Sequence, residues 1–174
     1  GDAVEALSGL QNLDAVFTSW VLGYIPLRPF FAAAARALAP GGRLALIVHR
    51  ENSPEREFGI FCSLVARDPL VMTRGVAFDF PRDGARLESL VDEAGLTVVN
   101  RWEGSAVFRY ATADEVLDHL LKSGAGTVFY DAIDRSARDG LTREFLARLR
   151  RQNGKRKTFQ VRHDYVACIA ERRR

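Results

Sequence analysis

The sequence predicts an α/β fold in which a parallel sheet is flanked by helices. Three observations lead there. Apolar runs alternate with helical spacing along the chain, and residues 14–49 read as strand, helix, glycine turn and strand. The length of 174 residues and the mass of 19.4 kDa are those of one domain.

Residues 14–19, Asp-Ala-Val-Phe-Thr-Ser, form a short β-branched and aromatic run and are expected as a strand buried on both faces. Residues 28–38 are Ala-rich and helix-favouring, with Pro26 and Pro29 at the front, where proline is tolerated. Pro40-Gly41-Gly42 is a turn signal, and residues 43–49 follow as a second buried strand. Short connections make this a βαβ unit with a right-handed crossover. Residues 55–66 and 85–94 carry helical spacing, the second closed by Gly95 in the position past a helix end that glycine favours. Residues 96–102 are a third strand. Thr112 is expected to cap a helix running to Lys122, with Glu115 completing a capping box. Gly124-Ala125-Gly126 reads as a break between helices, residues 142–151 as another helix, and residues 159–170 as the final strand. There are no internal repeats. No glycine-rich turn joins the first of these strands to its helix, although an open parallel sheet commonly holds its ligand there.

Hydrophobic residues at 47% and charged residues at 27% exclude a disordered chain and a disulfide scaffold. The longest apolar stretch, residues 15–25, is interrupted by Thr18, Ser19 and Gly23 and is too short to span a membrane. Cys62 and Cys168 lie in apolar surroundings, which suits reduced, packed thiols and a cytoplasmic location. The first residues, Gly1-Asp2-Ala3, show neither an initiator Met nor the pattern of a signal peptide. Net charge is +3, yet residues 148–174 hold ten Lys or Arg against two acids. A solvated helix face with a basic end is the expected meaning, because no aromatics interleave residues 148–157 as a base-stacking platform requires.

Three segments together resemble the class I S-adenosylmethionine-dependent methyltransferases. Gly1-Asp2-Ala3-Val4-Glu5-Ala6-Leu7 is similar to that family's GDAexL stretch. Residues 13–25, Leu-Asp-Ala-Val-Phe-Thr-Ser-Trp-Val-Leu-Gly-Tyr-Ile, resemble its fourth strand and following loop. Residues 36–44, Arg-Ala-Leu-Ala-Pro-Gly-Gly-Arg-Leu, resemble its PGG turn into the fifth strand.

The resemblance implies a Rossmann-like three-layer sandwich of the methyltransferase type, incomplete at its N-terminus, since the family's first strand, glycine-rich loop and acidic residue precede GDA. The 174 residues are accordingly expected to be inactive by themselves. It implies a core over residues 1–102, a helical insertion or lid over 103–158, and a last strand and basic tail over 159–174, all within a single domain. The last strand would run antiparallel between strands five and six. The implied activity is methyl transfer to a small molecule, with S-adenosylmethionine as cofactor and no metal. By the same resemblance Asp2 accepts a hydrogen bond from the adenine amino group, and the Ala3 N–H serves an adenine ring nitrogen. Thr18, Ser19 and Trp20 line the cofactor at the carboxyl end of the strand.

Tyr24 and Arg28 on the following loop, and Tyr110, Phe129 and Tyr130 in the insertion, are the candidate substrate residues. Phe108, Leu117 and Leu121 would complete an apolar pocket. The catalytic base is open, His49 at the end of its strand being the candidate. His119 and His163 read as structural. Asp131, Asp134 and Asp139 have no metal-ligand spacing. The expected partner is a small molecule rather than a membrane or nucleic acid, and a homodimer is compatible with it. Two other readings stand beside this one: a non-catalytic methyltransferase-like interaction domain, and a methyltransferase presented to RNA by its basic C-terminal segment.

Overall fold

The structure, a computed structural model, describes residues 2–173; Gly1, the first residue of the GDA stretch, and Arg174 lie outside them. The elements in chain order are α1 (Ala3–Ser8), β1 (Leu13–Ser19), α2 (Leu27–Ala37), β2 (Leu38–His49), α3 (Glu55–Val65), α4 (Gly84–Glu93), β3 (Leu96–Tyr110), α5 (Ala113–Lys122), α6 (Gly124–Asp131), α7 (Arg135–Asn153) and β4 (Phe159–Arg172). Four strands make one open sheet in the order β1-β2-β4-β3. β1 and β2 are parallel, and β4 is antiparallel to β2. Arg173 meets Thr97 while Asp164 meets Ser105, so β4 also runs opposite to β3. The expected topology, with the last strand between two neighbours, is the one found.

Contacts divide the chain into two compact units. The first comprises residues 1–51, 78–105 and 164–174; the second comprises 52–77 and 106–163. Residues 52–77, expected with the core, belong to the second unit, because the apolar stripe of α3 packs on α7. In the first unit the buried face of the sheet (Val16, Leu44, Leu46, Val48) meets Leu27, Phe30 and Phe31 of α2 and Leu87, Leu90 and Val91 of α4. The second unit has a separate core around Val116, Phe145, Leu149 and Val161.

β1 departs from the expectation of burial on both faces. Val16 and Thr18 are buried, whereas Phe17 is 73% exposed. β1 is the edge of the sheet, and its residues alternate as they do on a strand covered on one side only. The PGG turn is present inside β2 as a bulge. The pairing steps from Leu13↔Leu38 to Ala15↔Arg43, with Gly41 at φ +80°. A Cβ on Gly42 would lie 2.7 Å from the Leu13 carbonyl oxygen, so only glycine lets the two strands approach there.

Other differences have local causes. β3 continues from Trp102 to Tyr110 although its outer positions are polar, because the exposed side of a strand tolerates them. α7 begins at Arg135 rather than 142, its first turn fixed by the Asp134 side chain accepting from the Ser136 N–H instead of by apolar spacing. The Thr112 cap and its Glu115 box form as expected. Ser123 separates α5 from α6, and Gly124–Gly126 open the second of these helices. Cys168 is buried, with its thiol pushed up to about 11 by desolvation, but Cys62 is exposed, contrary to expectation. Partial desolvation also raises the Cys62 thiol, so a thiol reagent near pH 8 is expected to label Cys62 without unfolding, though more slowly than a free cysteine, and Cys168 only at the rate of unfolding; two fast thiols would contradict this packing.

Candidate functional site

The carboxyl ends of β1 and β2 carry a cluster of aromatic side chains in the first unit. The Trp20 N–H donates to the Ile47 carbonyl at 2.9 Å, and its backbone then turns into the left-handed region, φ +63°. A bulky residue held there costs about 1–3 kcal/mol and persists only where its surroundings impose it. The Trp20 ring lies 4.5 Å from the His49 ring and meets Tyr165 edge-on at 5.8 Å. Phe80 presents its edge to His49 at 6.0 Å and to Tyr24 at 6.1 Å, and Tyr24 also meets Phe78.

Segment 78–80 is strapped across the loop after β1. The Asp79 carboxylate accepts from the Leu27 N–H at 2.8 Å, and the Asp79 N–H donates to the Gly23 carbonyl at 3.1 Å. Gly23 admits the Phe80 ring, which a Cβ would overlap. Below this cluster in the chain, the buried Thr18 Oγ1 has no hydrogen-bond partner among the described residues. Arg50 closes the strand ends: its N–H donates to the Asp164 carbonyl at 3.0 Å and its guanidinium lies 3.6 Å from Glu103.

Thr18, Ser19, Trp20 and His49 are thus brought to one end of the sheet, together with Phe80 and Tyr165, which the sequence reading did not single out. Asp2 stands at the start of α1, where its Oδ1 accepts from the N–H groups of Val4 (2.7 Å) and Glu5 (3.2 Å). Asp2 as a whole is exposed. The Ala3 N–H, at the first helical position, has no partner within the helix. Arg28 is exposed and paired with Glu93 at 2.9 Å.

In the second unit the insertion candidates separate. Tyr110 joins His119 Nδ1 at 2.7 Å, and His119 Nε2 lies 2.8 Å from Nε2 of the buried His163, with Phe108 packed on both rings. The two histidines read singly as structural form one hydrogen-bonded chain with Tyr110. Phe129, Leu117 and Leu121 line a cavity, while Tyr130 lies under the Arg138 guanidinium at 5.0 Å. In the basic segment Arg148 bonds Glu144 and Ser63, and Arg150 bonds Asp114.

Burial holds the His119 imidazole below its ordinary value of 6.5, with nearby Asp118 opposing. The unfolded chain takes up a proton below about pH 6.5 that the folded chain refuses, so stability falls as pH drops through that range. A lower urea midpoint at pH 5.5 than at pH 7.5 is expected, with the difference reduced in His119→Phe. An unchanged difference would place its cause elsewhere.

Among the described residues no group of three or more His, Cys, Asp or Glu could hold a metal ion. Among the described residues no helix is long and apolar enough to cross a membrane.

No family model matches the sequence, and no curated protein matches it. Among solved structures, a protein from Bacillus halodurans C-125 with a provisional methyltransferase description is 14% identical. It superposes with a TM-score of 0.59 over 100% of this chain and 70% of its own. A provisional sarcosine dimethylglycine methyltransferase from Galdieria sulphuraria is 13% identical with a TM-score of 0.47, over 99% of this chain and 58% of its own. A geranyl diphosphate C-methyltransferase from Streptomyces coelicolor A3(2) is 13% identical with a TM-score of 0.43, over 94% of this chain and 47% of its own. The first of these likenesses establishes the fold: an open α/β sheet of the methyltransferase type.

Proposed function

We propose that this methyltransferase-type fold serves S-adenosylmethionine-dependent methyl transfer to a small-molecule acceptor. The observation that carries the reading is the left-handed Trp20 at the carboxyl end of a parallel strand, packed against His49 and Tyr165, with Phe80 in turn against His49. That end is where open α/β sheets receive their ligands, and backbone strain concentrates at such sites.

The residues present suit the cofactor. Asp2 keeps one carboxylate oxygen for an adenine amino group, Ala3 keeps an unbonded N–H for a ring nitrogen, and Thr18 leaves a hydroxyl unsatisfied beside Ser19. Held by Asp2, Ala3, Thr18, Ser19 and Trp20, S-adenosylmethionine would supply an electrophilic methyl on its sulfonium, with the neutral thioether as leaving group. The chain's own part is to orient and to dry. Ser19 and Trp20 fix the methionine side, and the rings of Trp20, Tyr165 and Phe80 exclude water. His49, whose ring touches Trp20 at a tilt and Phe80 edge to face, is assigned the role of accepting the acceptor's proton.

These 174 residues contain no glycine-rich strand-to-helix turn to embrace the rest of the cofactor. The missing hydrogen bonds correspond to about 3–6 kcal/mol, which moves affinity from the micromolar to the millimolar range or weaker, and the chain by itself is proposed to be inactive. Calorimetric titration with S-adenosylhomocysteine is expected to give a millimolar Kd that Ser19→Ala weakens further. Complete absence of binding by a folded chain would favour a non-catalytic domain. In an upstream-extended, active protein, replacing Lys155, Arg156 and Lys157 with Ala is expected to change small-molecule methylation less than about threefold, because exposed charges contribute little. A large loss, with steeply salt-dependent RNA binding, would favour an RNA substrate.

A further inference from the structure

The second unit contains an apolar cavity that is open to solvent at its mouth. Phe58, Phe61 and Phe129 meet edge to face on its wall, at 5.0 and 5.7 Å, and Leu117 and Leu121 complete its apolar lining. Glu57 is the one charged residue in the lining, and it is only 2% exposed. Its Oε1 accepts from Arg56 Nε at 2.8 Å and from Arg56 Nη2, which also donates to the Gln160 carbonyl at 2.7 Å. Both Arg56 bonds fall on Oε1, and no other side chain donates to Oε2 among the described residues.

We propose that this cavity binds a small neutral phenol, its ring against the phenylalanines and its hydroxyl on Glu57 Oε2. The walls select an aromatic ring by edge-to-face packing. The charge balance selects a neutral ligand. Arg56 already compensates Glu57, so an ammonium would bury an uncompensated charge and a carboxylate would face a like one. The polar group is a hydroxyl because burial raises the Glu57 carboxyl while Arg56 holds it down, and a hydroxyl both donates and accepts, serving either form. As a binding site it goes beyond the methyl transfer proposed above and is tested without the cofactor.

The probes are p-cresol and toluene, of nearly equal shape, titrated calorimetrically into the 174-residue chain at pH 7. p-Cresol is expected to bind at least about tenfold more tightly, the discrimination that a hydrogen bond to a charged group provides. Arg56→Leu combined with Glu57→Leu removes the pair without stranding a charge, and should bring the two ligands within about threefold of each other. Leu121→Trp, which fills the cavity, should abolish both while circular dichroism stays unchanged. Equal affinities in the unaltered chain, binding of neither probe, or p-cresol binding that survives Leu121→Trp would each overturn the proposal. Should the paired variant not fold, the ratio in the unaltered chain decides. Because no cofactor is added, these outcomes stand apart from those for S-adenosylhomocysteine.

Discussion

Replacing Phe31 with alanine is expected to lower the free energy of unfolding by about 3–5 kcal/mol, the usual range for emptying an aromatic site in a packed core. Phe31 is 1% exposed on α2, meets Phe30 edge-on at 5.7 Å, and belongs to the cluster that joins α2 to β1, β2 and α4. An effect of that size is a large part of a single domain's stability. Urea denaturation followed by circular dichroism measures it. A loss below about 1 kcal/mol would mean that α2 does not close over the sheet as described.

The second large effect belongs to Gly23. A Cβ there would sit 1.7–2.3 Å from three atoms of the Phe80 ring, so Gly23→Val must expel that ring from its place against Tyr24 and His49. We expect a loss of about 1–3 kcal/mol from overpacking, and at least about tenfold weaker binding of S-adenosylhomocysteine. The cost should depend on its partner. In a Phe80→Ala background the valine has room, and its further cost should fall below about 0.5 kcal/mol. Equal costs in both backgrounds would show that residues 78–80 do not cross the loop.

Much of the fold was legible because it is written locally. The β-branched run at 14–19, the Ala-rich helix, the PGG turn and the Thr112–Glu115 box each declare themselves within a few residues. The features read wrongly or not at all depend on distant partners. Nothing in residues 14–19 shows that Phe17 faces outward, since that depends on α2 and α4 covering the opposite face of the sheet. Trp20 and Phe80 are 60 positions apart, and only the folded sheet brings the Asp79 strap to Gly23. His119 and His163 were read singly because their hydrogen bond spans a helix and a strand. Glu57 resembles an ordinary surface acid on an amphipathic helix; its burial follows from the packing of α3 within the second unit. For the candidate site, the strand-end position of Thr18, Ser19 and Trp20 was readable from βαβ order, whereas the aromatic wall around them was not.

The central claim, that the carboxyl ends of β1 and β2 receive the cofactor, is tested most directly by mapping amide and indole NMR shifts during titration with S-adenosylhomocysteine. The account predicts the largest shifts at Ala3, Ser19 and Trp20, with half-saturation at about millimolar ligand. Shifts confined to other residues, or half-saturation at micromolar ligand without involvement of Trp20, would contradict it.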